Sequence, residues 1–402
     1  MDDAVTRREF LSTSGAAVAG ATVLAAAGCT TPERRAPTPI DVATGATRAA
    51  SPKAVRVVSA TVTDERARAV ARAGVAQAKH DDPAAVAHAL LTLIAPSIGD
   101  GPVFIKPNLN FNSKDFAAGR LKPAHLAPVT VSPRFIEGVL DYFRERGVPY
   151  SRMAVGEGFG YRTTANGVIQ FLGIDALCRK RGAQTVDLNA ARAVNVKLAS
   201  ARTMTEIDIA EPVWNAFDRG VLVSCAKLKT HRYPVTTLTL KNMMGAILPY
   251  NQKWRMHAEL VQGFKRGAIR RSDYFTSLDV FSSRLTDFCA LTPHVALVDG
   301  GVCGEGDGLN VEREGGLTNA VPLGVGFGGL SSVNVDAVAS AFIGFPGENP
   351  SVPGFPELRV LPWLAEPARR GYGFATATGP ARLGAKLAPP PRFRYTCKYR
   401  LV

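Results

Sequence analysis

From residue 55 to residue 346, short apolar runs alternate with longer segments of helical period. Val55-Arg56-Val57-Val58, Pro102-Val103-Phe104-Ile105, Met153-Ala154-Val155, Thr185-Val186-Asp187-Leu188, Gly220-Val221-Leu222-Val223, His294-Val295-Ala296-Leu297-Val298 and 321–325 have the length and apolar content of buried strands. Between them, 64–79, 84–94, a stretch opening at Ser132-Pro133, 168–181, 211–219, 274–290 and 335–343 predict helices. Ser132 is suited to cap its helix, Pro133 to the first turn and Gly147 to the stop. The alternating segments 194–198 and 206–209 predict a small antiparallel pair. This order predicts an α/β fold, a mainly parallel sheet with helices on both faces and a possible small antiparallel insertion. Beyond it, 347–402 reads as a Pro-rich basic tail that wraps the domain.

Ligands of such sheets bind where strands end at their carboxyl side, and the residues with chemistry gather there. The second strand runs into Lys106 and Asn108, the third into Glu157, and the 294–298 strand into Asp299. The strand through Val223 is expected to end where the lysines begin, and Lys227, Lys229 and His231 stand at intervals of two, which puts them on one side if the chain stays extended. Lys241 and Asn242 come ten residues later, in a segment that reads as strand from 235 and as helix from 241. No acidic residue lies between Ala226 and Pro249. Buried ammonium groups without carboxylates are costly, so this stretch is expected to be solvated or to face an anion, and the anion is the reading preferred here. Lys106, Asn108, Lys227, Lys241 and Asn242 are candidate substrate ligands, and His231 and Lys229 candidate catalytic groups. A threonine cap at 236 or 237 would aim a helix amino terminus at the same anion. The glycine-rich Gly304-Glu305-Gly306-Asp307-Gly308 reads as a mobile loop; Glu305, Asp307 and Glu157 could then hold a divalent metal bridging to the anion. The alternative for these acids is a turn whose charges offset nearby lysines.

The amino terminus reads as an address. Thr6-Arg7-Arg8-Glu9-Phe10-Leu11 has a twin-arginine pattern, an uncharged run follows from Ser14 to Gly28, and small residues precede Cys29. Residues 1–29 are therefore expected to be a signal peptide engaging the twin-arginine translocation machinery. The protein is then exported to the periplasm or another extracytoplasmic space, lipidated at Cys29 and tethered through a flexible segment, 30–54.

A net charge of +14 favours anionic partners, but no dense Lys/Arg block interleaved with aromatics points to nucleic acid. The six cysteines, Cys29, Cys178, Cys225, Cys289, Cys303 and Cys397, form no C-x-x-C pair, so a zinc ribbon or ferredoxin-type cluster is not expected.

Four pieces together resemble the bacterial and archaeal domain-of-unknown-function family 362: Ile105-Lys106-Pro107-Asn108; Lys227-Leu228-Lys229-Thr230-His231 with Leu240-Lys241-Asn242-Met243-Met244-Gly245; Val298-Asp299-Gly300 to Gly308; and Asp336-Ala337-Val338 before Gly344-Phe345. The resemblance spans 55–346 and implies one fold-sized unit rather than a reaction. Some relatives carry an iron–sulfur domain, and this chain lacks those cysteines.

Three functions stay open on the sequence: an enzyme acting on a small phosphate or carboxylate, with or without a metal; a non-catalytic exported lipoprotein that binds an anionic ligand or cofactor; and an interaction protein docking through the basic residues of 253–271.

Overall fold

The computed structural model describes residues 59–158, 165–249, 252–257, 268–345, 360–396 and 400–401. The signal peptide, Cys29, the tether and the strand expected at 55–58 lie outside the described residues, as do 258–267 of the basic segment.

Among the described residues, nine strands form the large sheet. Eight lie in the order Arg382–Gly384, Val75–Lys79, Thr318–Gly329, Val295–Gly306, Val221–His231, Val103–Pro107, Met153–Glu157, Gln184–Asp187, and Val235–Thr237 pairs back on Val221–His231. The last five of the eight are mutually parallel; Thr318–Gly329 is antiparallel to both neighbours. A smaller sheet joins Ser59–Val62, Ala193–Leu198, Glu206–Ala210 and Ile247–Leu248, with the expected antiparallel pair at its centre. The fold is therefore α/β, with antiparallel additions to a mostly parallel sheet.

Strand alternation splits the core between the two faces. Val103, Ile105, Val221, Val223 and Cys225 pack in one cluster with Val86 and Leu90 of helix Pro83–Ile94 and Phe135, Val139 and Phe143 of helix Pro133–Glu145. Phe104, Leu222, Ala226 and Leu228 face the other way, against Phe281 of helix Arg271–Phe288 and Val335 of helix Ser332–Phe342. Ser132 caps its helix by accepting from Arg134 N, and Gly147 follows at φ 87°.

Several expectations are corrected. Residues 64–79 are a short helix, Glu65–Ala69, and then a strand, because Val75–Lys79 finds ladder partners in 325–328. The helix expected over 168–181 is two helices broken at Gly173, φ 76°. The strand that begins at Val221 does not stop at the lysines but runs to His231, paired to Val295–Gly306 on one side and to Val235–Thr237 beyond Lys229. Gly304 to Gly306 is strand rather than loop, paired to 318–320. The tail contributes helix Pro362–Arg369 and the edge strand Arg382–Gly384.

Candidate functional site: a lysine-rich cleft at the strand carboxyl ends

In the five-strand parallel block, successive strands add on one side of Val103–Pro107 (Met153–Glu157, then Gln184–Asp187) and then on the other (Val221–His231, then Val295–Gly306). The order reverses between Val103–Pro107 and Val221–His231, and ligands of open α/β sheets bind at such a reversal. A cleft of about 670 Å³, counting its open mouth, lies there. Its lining includes Lys106, Asn108, Glu157, His231, Lys241 and Asn242.

The floor is a closed polar network. The fully buried Lys106 ammonium donates to Glu157 Oε1 at 2.5 Å, to Asn242 Oδ1 at 3.2 Å and to Pro107 O at 3.3 Å. Glu157 also accepts from Gly158 N (2.8 Å) and Leu109 N (3.1 Å). Asn242 returns its amide to Lys106 O at 2.8 Å and Ser224 Oγ at 3.0 Å, which ties the helical segment to two strands. Burial pushes the Lys106 ammonium below its ordinary value against the pull of Glu157. Gly245 and Gly158 keep the backbone low over this floor. A Cβ on Gly245 would come within 2.6 Å of Lys106 Nζ, and one on Gly158 within 2.5 Å of Lys253 Nζ.

Two further lysines stand above the floor. Lys253, buried, donates to Asn189 Oδ1 at 2.5 Å. Lys241, partly exposed on the cleft wall, has no hydrogen-bond or ion-pair partner among the described residues. Burial lowers both to about 8, with the Lys106 charge acting in the same direction on each. His231 is buried and its Nδ1 accepts from Tyr233 N at 3.2 Å. Burial, then the nearby Lys241 charge, holds the imidazole well below its usual range. A neutral ring that accepts at Nδ1 carries its proton on Nε2, which leaves that nitrogen as a donor. Tyr233 and His257 complete this wall, the latter stacked on Phe281 at 5.0 Å and likewise kept neutral by burial.

The turn that presents Tyr233 is strained. Val235 has φ 71°, which a β-branched residue adopts at a cost of about 1–3 kcal/mol. It is held by Trp363 Nε1 donating to Pro234 O at 2.9 Å and by the Tyr274 hydroxyl donating to Tyr233 O.

Other candidates lie elsewhere. Lys227 is buried in an ion pair with Asp299 at 2.9 Å, and Asp299 also accepts from Ser132 N and Gly301 N. Lys229 donates to Val129 O at 2.8 Å and Asn110 O at 3.2 Å. It does not line the cleft, although Asn110 does. Glu305 is taken up by the Arg394 backbone and guanidinium, and Asp307 by Arg232 at 2.6 Å and by Leu309 N and Asn310 N. Glu157, Glu305 and Asp307 are thus not brought together. Among the described residues no group of three or more His, Cys, Asp or Glu is placed to hold a metal ion. The helix after Thr237 is Thr239–Asn242, and Asp336 occupies its amino terminus by accepting from Thr239 N and Leu240 N. Thr236 does not cap it; its hydroxyl pairs with that of Ser340 at 3.0 Å. Cys225 and Cys303 are buried, and burial raises both thiols, the latter to about 12, so neither is a nucleophile.

The sequence reading counts Lys253 only among the basic residues of 253–271 and gives Tyr233 and His257 no role in the cleft. The signal available was Lys253 in an otherwise helical Gln252–Arg255 turn shortly after Pro249, but only the tertiary fold carries it to Glu157.

The family model described as Domain of unknown function (DUF362) matches residues 103–341, more than half of the chain. A search of curated proteins returned no match.

Proposed function

The chain belongs to this family of unknown function, and the matched span contains every cleft residue named above; from that premise we propose an enzyme acting on a small carboxylate- or phosphate-bearing substrate bound in the cleft. The observation that carries the reading is Lys241, without a hydrogen-bond or ion-pair partner among the described residues, in one cleft with Lys106 and Lys253 and with Glu157 already saturated. An anion supplies the charge this arrangement lacks. In the proposed roles, Lys253 and Lys241 hold the anion and His231 donates its Nε2 proton in a hydrogen bond. Lys241, at about 8, is the group able to exchange a proton near neutrality. Lys229 is a positioning residue, fixing the Asn110 backbone at the cleft rim.

Calorimetric titration with inorganic phosphate and small carboxylates tests this reading. Lys241→Met is expected to weaken binding about ten- to a hundredfold, as for loss of a charged hydrogen bond. His231→Phe, which removes the Nε2 donor, is expected to keep the lysine-held binding and to lose most turnover of whichever substrate a carboxylate and phosphomonoester panel identifies. Unchanged affinity in Lys241→Met overturns the site. Turnover absent from wild type across the panel, with binding intact, moves the reading to an anion-binding lipoprotein.

Export is part of the same proposal, resting on Arg7, Arg8 and Cys29. No helix among the described residues is long and apolar enough to cross a membrane. Fractionation should find the protein extracytoplasmic and membrane-associated. Replacing both arginines by lysine should keep it in the cytoplasm, and Cys29→Ser should free it from the membrane.

A further inference from the structure

We propose that Lys241 is an imine-forming lysine and that the cleft takes small 2-oxo acids, the carboxylate resting on Lys253 and the ketone carbon meeting the Lys241 amine. This deepens, and rests on, the anion-binding reading.

Four lysines lie in or against the cleft, and three are committed. Lys106 is locked to Glu157 and Asn242, Lys229 to two backbone carbonyls, and Lys253 to the Asn189 side chain. Among the described residues Lys241 has no such partner and stands on the open wall. A nucleophilic amine needs a free lone pair, an approach for the electrophile and an environment that disfavours its ammonium form. Lys241 has all three. Desolvation, aided by the Lys106 charge and opposed by Glu157, brings the release of its proton to about 8 rather than the ordinary 10.5.

The rest of the cleft suits the carbonyl. Lys253, tethered by donating to Asn189 Oδ1 at 2.5 Å, is placed to meet the substrate carboxylate, whose charge favours its ammonium form. The neutral His231 ring offers Nε2–H to the carbonyl oxygen. The glycines at 158 and 245 leave the floor open. A phosphate would meet the same charges but has no carbon for Lys241 to attack, so a carbonyl acid uses more of what is present.

The step balances without an oxidant. The neutral amine attacks the carbonyl carbon, a carbon–nitrogen bond forms, and the carbonyl π pair moves to oxygen. The proton released from nitrogen ends on that oxygen and gives a carbinolamine. The hydroxyl then leaves as water, taking a proton from solvent, and the nitrogen lone pair closes the protonated imine. The imine withdraws electrons from the adjacent carbon, which favours proton exchange or bond cleavage there.

The full chain incubated with pyruvate and sodium cyanoborohydride, then peptide-mapped by mass spectrometry, tests this. The expected result is a single stable secondary-amine adduct on Lys241, absent from Lys241→Arg. In Lys253→Gln it should form about ten- to a hundredfold more slowly at limiting pyruvate. Circular dichroism establishes that both variants are folded, and calorimetry measures pyruvate binding separately. Binding of pyruvate without an adduct, or an adduct on Lys253 or scattered over surface lysines, overturns the imine and leaves the anion site standing. Absence of binding by both pyruvate and phosphate overturns the two together.

Discussion

Two hollows touch the Val221–His231 strand, and they differ in how their lysines are treated. The larger, about 1250 Å³, contains Lys227, whose ammonium is met by Asp299, itself fixed by two backbone N–H groups. The smaller, about 670 Å³, contains Lys241 and Lys253, and among the described residues neither forms an ion pair: Lys241 has no hydrogen-bond partner and Lys253 has the Asn189 amide. Both belong to one sheet and one sequence motif. Size points to the first hollow and charge balance to the second. A buried cation with a carboxylate beside it is complete as architecture. An unpaired cation at a cleft wall is a cost that only a ligand or a reaction explains.

The largest expected effect comes from breaking the completed pair. Asp299→Ala leaves Lys227 buried and uncompensated and should lower stability by about 3–5 kcal/mol in urea unfolding. Lys241→Met, which removes a charge rather than stranding one, should leave stability unchanged or raise it. Equal losses in the two variants would erase the distinction between the hollows.

Next comes the floor. Gly245→Ala sets a methyl group against Lys106 and Glu157 and should cost about 1–3 kcal/mol, with weaker anion binding. A crystal structure of the variant with an undisturbed Lys106–Glu157 contact would contradict that reading.

The third expectation concerns pH. The folded Lys241 pKa lies below the unfolded value, at about 8 against 10.5, and anion binding needs the charged form. Affinity should therefore be full well below pH 8 and fall about tenfold per unit well above it if Lys241 must be charged. In the free protein the sign is opposite. Between about 8 and 10.5 the unfolded lysine holds a proton that the folded one has released, so this group's contribution to stability rises with pH. Titration calorimetry and thermal melts across that window read the two slopes. Affinity that is flat through pH 8 would remove Lys241 from the site.

The smallest effect lies at the strained turn. Trp363→Phe removes the hydrogen bond to Pro234 O and should cost about 0.5–1.5 kcal/mol, with a looser fit at Tyr233. Hydrogen exchange around 231–235 would register the loosening. No change there would mean the turn is held by other contacts.

Much of this site was legible in the chain. Apolar strands ending in Lys106, Glu157 and the Lys227–His231 motif pointed to one end of one sheet, and Lys106, Asn108, Glu157, His231, Lys241 and Asn242 do line a single cleft. Period-two spacing correctly predicts a shared face for Lys227, Lys229 and His231, but it is silent on depth. An extended strand advances about 3.3 Å per residue, so four residues separate Lys227 from His231 by about 13 Å. One hollow cannot receive all three. The acids of 304–308 were misplaced for a related reason. Their glycines suggest a free loop, whereas Gly306 and Gly308 supply positive φ values of 102° and 75° where a paired strand turns tightly against Leu317 and Thr230. Pairing across more than ten residues of chain, and arginines as distant as Arg394, decide where Glu305 and Asp307 go.

The most direct measurement is the ionisation of individual lysines by competitive acetylation, with trace labelling read by mass spectrometry across pH. The account predicts that Lys241 titrates near 8, well below surface lysines, that its titration moves upward when phosphate is bound, that pyruvate protects it from acetylation, and that Lys227 stays unreactive in the folded protein. A Lys241 that titrates like a surface lysine and ignores both anions would contradict the central claim that this unpaired amine is the working group of the cleft.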